Sequence, residues 1–455
     1  MEQVIIMKVK IKTITPLWTG GINGSCDRIH ETGIIGSMRW WYEAIVRGLG
    51  GDACDPSQHE CPDKDGYYCD SCAIFGTTGL KRSFRIDLPI IENPNNKEQL
   101  TIKVCNNRGW YLKRGLFENE VEGYLISGRL SNWTEWEDVS QFLALALRLA
   151  SEWGGLGART QQGYGVAKVE TDPVLNINKA LLFNGDLNQR PSQRTNTGQE
   201  LPRFDEFFFA RIRFYSEDPW TFIKNNTTKI IPLEEFQYYQ DTGIVPISSL
   251  VRYYLRKLIR QEIGHKSKSN SVARWRLMGV LSGRYHNGDF GKVKAIEWRC
   301  QKCGGLWDHK PTRNEHLNCR GRAAEWIWQC ENCEREWGKF YLMNKETSTI
   351  ERCKSLIQVS HAYCVGENLY EFRIWGWIPQ VLPGSLKRED VLDKLIEWLG
   401  VETRDLREWQ DAYVGKLWDA SLVNLQQPQV LCFDKKESET SEDYLRALSN
   451  SGGKL

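Results

Sequence analysis

The chain has 455 residues, 41% of them hydrophobic and 26% charged, with 60 basic against 58 acidic side chains. That length exceeds one ordinary core and predicts two domains with insertions. A formal net charge of +2 excludes a general polyanion coat protein, so any nucleic-acid role must rest on local patches. There is no run of about 18 apolar residues, and the opening MEQVIIMKVKIKTI reads as a strand rather than a signal peptide. The expected location is the cytoplasm.

Val4 to Ile14 alternates Ile5, Met7, Val9 and Ile11 with Lys8, Lys10 and Lys12, which predicts a half-buried strand. A glycine-rich loop, Trp18 to Gly33, leads to a helix over Gly36 to Gly48 with Met38, Trp41, Tyr42, Ile45 and Val46 at helical spacing. A cysteine-rich loop follows, then strand-like pieces near Phe84 to Ile90, Leu100 to Cys105 and Glu122 to Ser127. An apolar helix over Val139 to Trp153 precedes a strand over Val166 to Glu170. Strand, helix, strands, helix, strand is a ferredoxin-like order.

The polar, aperiodic Asn184 to Glu200 reads as a linker. A second strand and helix follow at Phe207 to Phe214 and Ile247 to Ile263, then strands near Gly291 to Trp298 and Leu369 to Ile378, and a late helix over Arg388 to Leu399. The expected fold is α+β, two ferredoxin-like (RRM-like) domains with a zinc-ribbon insertion in the second. The boundaries are 1–183, a linker over 184–204, 205–433 with the ribbon at 299–338, and a flexible tail over 434–455.

Fourteen cysteines in a reducing compartment point to metal ligands rather than disulfides. Cys300-x-x-Cys303 and Cys330-x-x-Cys333 lie 26 residues apart, and each pair suits a tight turn that aims two thiolates at one tetrahedral ion. Together they predict a structural zinc ribbon, with Cys319, His316 and His309 as substitute ligands. Cys54, Cys61, Cys69 and Cys72, with His59 nearby, predict a second zinc site; reduced unbound cysteines and an iron–sulfur cluster are the alternatives. Cys26, Cys105, Cys353, Cys364 and Cys432 read as plain buried residues.

Three features suit RNA. Trp153 to Gly165 holds five glycines, Gly155 and Gly157 among them, with Arg159, Gln161 and Tyr164. Such backbone can approach a phosphodiester chain and offer N–H groups to phosphates; a helix cap followed by a bulged turn is the alternative. On the first helix Trp40 and Arg47 share a face near Arg39, suited to stacking and phosphate contact unless Trp40 packs under the cysteine-rich loop. From Arg252 to Arg276 eight basic residues face one acid, Glu262; Arg256 and Arg260 are the candidate contacts there, with Lys81 and Arg82 forming a smaller cluster.

ITPLWTGG (Ile14 to Gly21), IIGSMRWWYEAIVRGLGG (Ile34 to Gly51), CAIFGTTG (Cys72 to Gly79) and GGLGARTQQGYG (Gly154 to Gly165) together resemble the RAMP superfamily, and within it the first-subunit family of the Cmr complex, the type III-B CRISPR effector. LSGRYHNGDFG (Leu281 to Gly291) is a looser echo. The resemblance implies a non-catalytic subunit in antiviral defence that binds guide or target RNA near the 3′ end of the guide, with other Cmr subunits as partners. In that family this subunit is neither the slicer nor the cyclase. Two other readings stand beside it: a metal-independent RNA endonuclease using His30 as acid or base, and a protein-only scaffold.

Overall fold

The first strand forms where the alternation places it. β1 (Ile6–Thr13) buries Met7, Val9 and Ile11, while Lys8 and Lys10 on its other face pair with Glu122 and Glu120. Antiparallel neighbours flank it: β5 (Val121–Ser127) on one side and β6 (Ala167–Asp172) on the other. With β2 (Phe84–Asp87) on β5 the sheet order is β2-β5-β1-β6. Two helices pack on each other beside it, α1 (Glu31–Gly48) after β1 and α3 (Trp136–Glu152) after β5. A short α2 (Asp70–Phe75) stands between. Val139, Phe142, Leu143, Leu145, Leu147 and Leu149 of α3 are all buried, the mark of a helix covered on every side.

What covers α3 is the second half. β7 (Phe207–Tyr215) lies between β18 (Leu369–Trp377) and β22 (Gln426–Phe433), all antiparallel. The sheet continues through β21 (Leu406–Asp411) at one edge. At the other lie β17 (Ala362–Gly366) and β9 (Ile244–Val245), and β16 (Ile357–Val359) also pairs with β18. Phe207, Phe208, Phe209, Ile212 and Phe214 are buried, so β7 has no solvent face. Its helices are α4 (Pro219–Asn225), α5 (Leu233–Asp241), α6 (Ser248–Leu258), α7 (Arg388–Leu399), α8 (Lys416–Asp419) and α9 (Ser441–Ser451). A third sheet, β4-β3-β8, joins the two halves: β3 (Gln99–Lys103) and β4 (Trp110–Lys113) come from the first and β8 (Lys229–Ile231) from the second.

In the computed structural model the described residues are 6–21, 24–55, 61–64, 66–95, 97–104, 110–117, 120–128, 136–181, 201–225, 227, 229–263, 277–279, 284–286, 289–291, 293–299, 306–307, 325–330, 336–338, 355–382, 386–412, 415–419 and 426–451. Everything above belongs to one unit, Met1–Leu255 with Ile357–Gln380 and Arg388–Leu455, apart from the end of α6. A second unit spans Arg256–Leu356 and Val381–Lys387. It contains a hairpin of β10 (Arg284–His286) and β11 (Asp289–Gly291), a pair of β19 (Val381–Leu382) and β20 (Leu386–Lys387), and a four-stranded sheet. That sheet runs β13 (Leu306–Trp307), β12 (Val293–Arg299), β14 (Glu325–Cys330), β15 (Glu336–Gly338).

Several expectations change. The strand near Gly291 to Trp298 joins the second unit's sheet, not the one built on β7. The linker over Asn184 to Glu200 lies outside the described residues. The tail over 434–455 contains α9, with Tyr444, Leu445 and Leu448 wholly buried; the Tyr444 hydroxyl donates to the Phe207 carbonyl. Its apolar residues are few but fall on one helical face. Leu448→Ala is accordingly expected to cost about 2–5 kcal/mol in a denaturant titration; a change under about 0.5 kcal/mol would return the segment to a frayed tail.

Candidate metal centre and glycine-rich platform

Cys54, Cys61, Cys69 and Cys72 are all buried, and their sulfurs lie within 4.8 Å of one another. The separations Cys69–Cys54 of 3.5 Å and Cys54–Cys72 of 3.6 Å are too long for a disulfide. They approach the ~3.8 Å edge of a tetrahedron with metal–sulfur bonds of about 2.3 Å. Backbone N–H groups already support the sulfurs, Cys69 N donating to Cys61 Sγ (3.4 Å) and Cys72 N to Cys69 Sγ (3.3 Å). Four buried thiols this close, with no carboxylate or imidazole among them, fit a soft cation that fills all four positions. Such a centre has no open coordination site.

The loop is held from α1. Arg39, Glu43 and Arg47 stand one turn apart on one face. Glu43 is buried and accepts from Arg39 Nε (2.8 Å) and Ser71 Oγ (3.1 Å). Arg39 also donates to the Gly76 carbonyl and, at 3.2 Å, to Cys72 Sγ. Arg47 donates to the carbonyls of Ala53, Cys54 and Pro202, and burial pulls its pKa down. Asp52 and Asp70 exchange backbone and carboxylate bonds that anchor the start of α2. Arg47, expected on RNA, is thus turned inward as a brace of the cysteine loop, and Arg39 is engaged there too. The Arg39-x-x-x-Glu43-x-x-x-Arg47 ladder was readable from spacing alone.

The glycine-rich segment from Trp153 to Gly165 leaves α3 and folds back against the loop that follows β1. Gly157 N donates to Ser37 Oγ (2.7 Å), Ala158 N to the Trp18 carbonyl (2.7 Å) and Gly165 N to the Pro16 carbonyl (2.9 Å). Gly157 has φ +76°, and a Cβ there would sit 2.4 Å from the Trp18 carbonyl oxygen. Arg159, also left-handed at φ 60°, lays its guanidinium 4.0 Å over the Trp18 ring and bonds Gln162. Ala158 and Gln161 are exposed at the tip; Gly155 is buried. Tyr164 is a correction to the expected RNA contacts: it is wholly buried and donates its hydroxyl to the Lys113 carbonyl.

Beneath this loop lies a charged interior. Arg373 donates to the carbonyls of Ser151 and Gly154, and Arg211 to that of Glu152. Glu371, fully buried, accepts from Arg213 (2.9 Å) and the Tyr363 hydroxyl (2.6 Å) and lies 3.9 Å from Arg211. His361 supports the loop directly. Its backbone N–H donates to Gly163 O, its Nδ1 sits 3.0 Å from Ser248 Oγ, and that hydroxyl donates to Gln162 O. Composition gave no sign of these residues, which come from distant strands.

Lys81 and Arg82 are exposed beyond α2, and Trp40 is 41% exposed while resting edge-on against Trp41 and Phe207. Arg260 is exposed; Arg256 donates to the Met278 carbonyl, and Arg252 is buried against the Ile357 carbonyl. His30 Nε2 lies 2.9 Å from Asp27 Oδ1. Cys26 and Cys432 are buried and Cys364 is exposed, while Cys105 and Cys353 lie outside the described residues. So do Cys300, Cys303 and Cys333. Cys330 ends β14 opposite Val293, whereas Arg299, the neighbour of Cys300, pairs with Glu325.

The RAMP superfamily model matches residues 10–168, from β1 through the glycine-rich segment into β6. Over that span the chain is similar to the RAMP superfamily. Cmr1 from Pyrococcus furiosus in its apo form is similar at 14% identity, over 58% of this chain and 77% of that one, with a TM-score of 0.30. A chain of a type III-B Cmr-beta complex bound to cognate target RNA is similar at 11% identity, over 86% and 98%, with a TM-score of 0.35. A chain of a type IV-B CRISPR complex gives 13%, 44%, 97% and 0.27. No curated protein matches the sequence. Among the described residues no helix is long and apolar enough to cross a membrane.

Two measurements check this geometry. Replacing Cys69 and Cys72 by serine should remove one metal equivalent in elemental analysis of the full chain and lower its melting temperature; unchanged metal content would mean the cluster holds none. Burial pulls the His361 pKa down to about 3. The ring charges more readily when unfolded, near pH 6.5, so its contribution is complete above that pH and is lost as pH falls toward 3. Between pH 7.5 and 5 the wild type should lose roughly 2 kcal/mol more than His361→Asn; parallel stability curves would contradict a buried neutral imidazole.

Proposed function

We propose that the chain is a non-catalytic, RNA-gripping subunit of a type III-B CRISPR (Cmr) ribonucleoprotein effector. It would bind guide or target RNA near the 3′ end of the guide, alongside other Cmr subunits in the cytoplasm. The observation that carries the reading is the match of residues 10–168 to the RAMP superfamily, because that span includes the loop whose tip presents Ala158, Arg159 and Gln161. Flat and positive groups at one tip suit a single strand with its bases turned out. The strand order β6-β1-β5-β2, with helices after the first and third of its strands in chain order, supports a ferredoxin-like first domain. The order β22-β7-β18-β16 supports a second.

In this reading Arg159 and Gln161 hold phosphates and sugars, Trp40 offers a ring, and Lys81, Arg82 and Arg260 supply charge. The Cys54–Cys72 centre binds zinc as a structural ion, fixing the loop between α1 and α2. Zinc is favoured over an iron–sulfur cluster because four thiolates within 4.8 Å surround one ion rather than a cluster. The Asp27–His30 contact favours the endonuclease as the second reading, since a carboxylate fixes the tautomer of a general base.

Salt-dependent binding of single-stranded RNA decides among these. Affinity should fall steeply with salt, and Arg159→Ala with Lys81→Gln and Arg82→Gln should weaken it about tenfold without unfolding. A chain that never binds RNA is a scaffold. Cleavage of repeat RNA in chelator, abolished by His30→Ala, would make it an enzyme.

A further inference from the structure

One face of the second sheet gathers cations around few acids. Arg211 and Arg213 of β7 stand opposite Arg373 and Glu371 of β18, and positions two apart on a strand share a face. Arg148 of α3 joins them through Glu152, whose carbonyl takes Arg211 Nη2. Among the described residues the ion pairs of these four arginines involve two carboxylates, Glu152 and Glu371, and Glu371 serves Arg211 and Arg213 together. Arg211 Nε, Arg373 Nη2, Glu152 Oε2 and Ser449 Oγ are buried without a hydrogen-bond partner. Glu371, 3.9 Å from Arg211 Nε, is beyond hydrogen-bond reach. Such atoms are uncommon in native proteins, and a bound group is one way to complete them.

A cavity of about 240 Å³ adjoins this cluster. Arg211 and the opposed Leu431 line it from the sheet, Arg407 and Trp409 from β21, and Asn450 and Ser451 from the last turn of α9. Arg213 lies 3.9 Å over the Trp409 ring. Arg407 is already paired with Asp405 and Glu439, and the exposed Glu408 is the acid on the rim. That leaves Arg211 as the cation of the lining whose bonding is incomplete. The α9 carbonyls of Leu448 and Ser449 are taken by Trp153 Nε1 and Arg148 Nη2, so this helix end turns no bare negative pole on the cavity.

We infer that the cavity binds a small oxyanion of the phosphate class, held by the Arg211 guanidinium with Asn450 and Ser451 as neutral polar partners. The planar fork of a guanidinium matches the oxygens of such an ion, and burial raises the worth of its charge. The volume lies below the about 300–1,000 Å³ of pockets for drug-sized ligands, which suits an ion. Free inorganic phosphate and the terminal phosphate of an oligonucleotide share this chemistry. The inference stands without the RNA-binding reading.

The test is isothermal titration calorimetry of inorganic phosphate into the full chain in a chloride buffer. The wild type should take up phosphate saturably, and Arg211→Met should abolish the signal. Because Arg211 also braces α3, the deciding variant is Asn450→Glu, which sets a carboxylate at the mouth from an exposed position. It should fold normally and bind phosphate at least about tenfold more weakly. No saturable uptake by the wild type, or wild-type affinity in folded Asn450→Glu, would overturn the inference, and neither result bears on RNA binding at the glycine-rich tip. Short oligouridylates then separate the sources. Displacement of phosphate by a 3′-phosphorylated oligomer and not by its hydroxyl-ended counterpart supports the inference with an RNA end as the ligand. Displacement by neither supports it with the free ion, whereas equal displacement by both would make the site a general polyanion surface and overturn it.

Discussion

The carbonyls at the end of α3 are the point on which the structure turns. A helix leaves its last carbonyls unpaired and a partial negative charge beside them. Here that end is buried, so water cannot satisfy it, and Arg373 and Arg211 reach from the second sheet to the carbonyls of Ser151, Glu152 and Gly154. Burying two guanidinium groups would be costly by itself. Glu371 on the same strand as Arg373 supplies the balancing charge, and Trp153 offers its ring to Arg211 at 4.4 Å. Each partner is tolerable inside only because the others are present. Removing one arginine leaves part of that buried helix end unsatisfied, a loss in the range of about 1–3 kcal/mol.

That arrangement determines what the glycine-rich segment can be. Its first glycine, Gly154, sits against Trp41, where a Cβ would come within 2.2 Å of the ring. Its later part is fixed by His361 and Ser248 from the second half. Only the stretch around Ala158 to Gln161 remains in solvent. A platform held at both ends has little conformational entropy left to lose when it meets a ligand, whereas a free glycine loop would have a great deal. The cysteine centre plays a similar part at α1, where Arg39 and Arg47 link the helix to the loop.

Elements with strong periodicity were legible in the sequence: β1 from its lysine alternation, α1 and α3 from helical spacing, β7 and α7 from their apolar patterns. The cluster of Cys54, Cys61, Cys69 and Cys72 was legible as well, since the Cys69-x-x-Cys72 knuckle and two nearby cysteines suit one tetrahedral ion. What failed was direction. Arg47 and Tyr164 were assigned outward because arginine and tyrosine suit RNA, yet nothing local to either residue says which way it points. Arg252 interrupts an amphipathic helix and is drawn inside by a carbonyl 105 residues away. The charged interior of Arg211, Arg373, Glu371 and His361 was invisible because strand pairing, not sequence proximity, assembles it. The same holds for β3, β4 and β8, which pair across the two halves of the chain.

The central claim is that a rigidly supported glycine-rich tip meets a single RNA strand. Photocrosslinking the full chain to 4-thiouridine-substituted single-stranded RNA, followed by peptide mapping, tests it most directly. The account predicts crosslinks concentrated on the peptide carrying Ala158, Arg159 and Gln161. Efficient crosslinking that falls entirely elsewhere on the chain, with that peptide untouched, would contradict it.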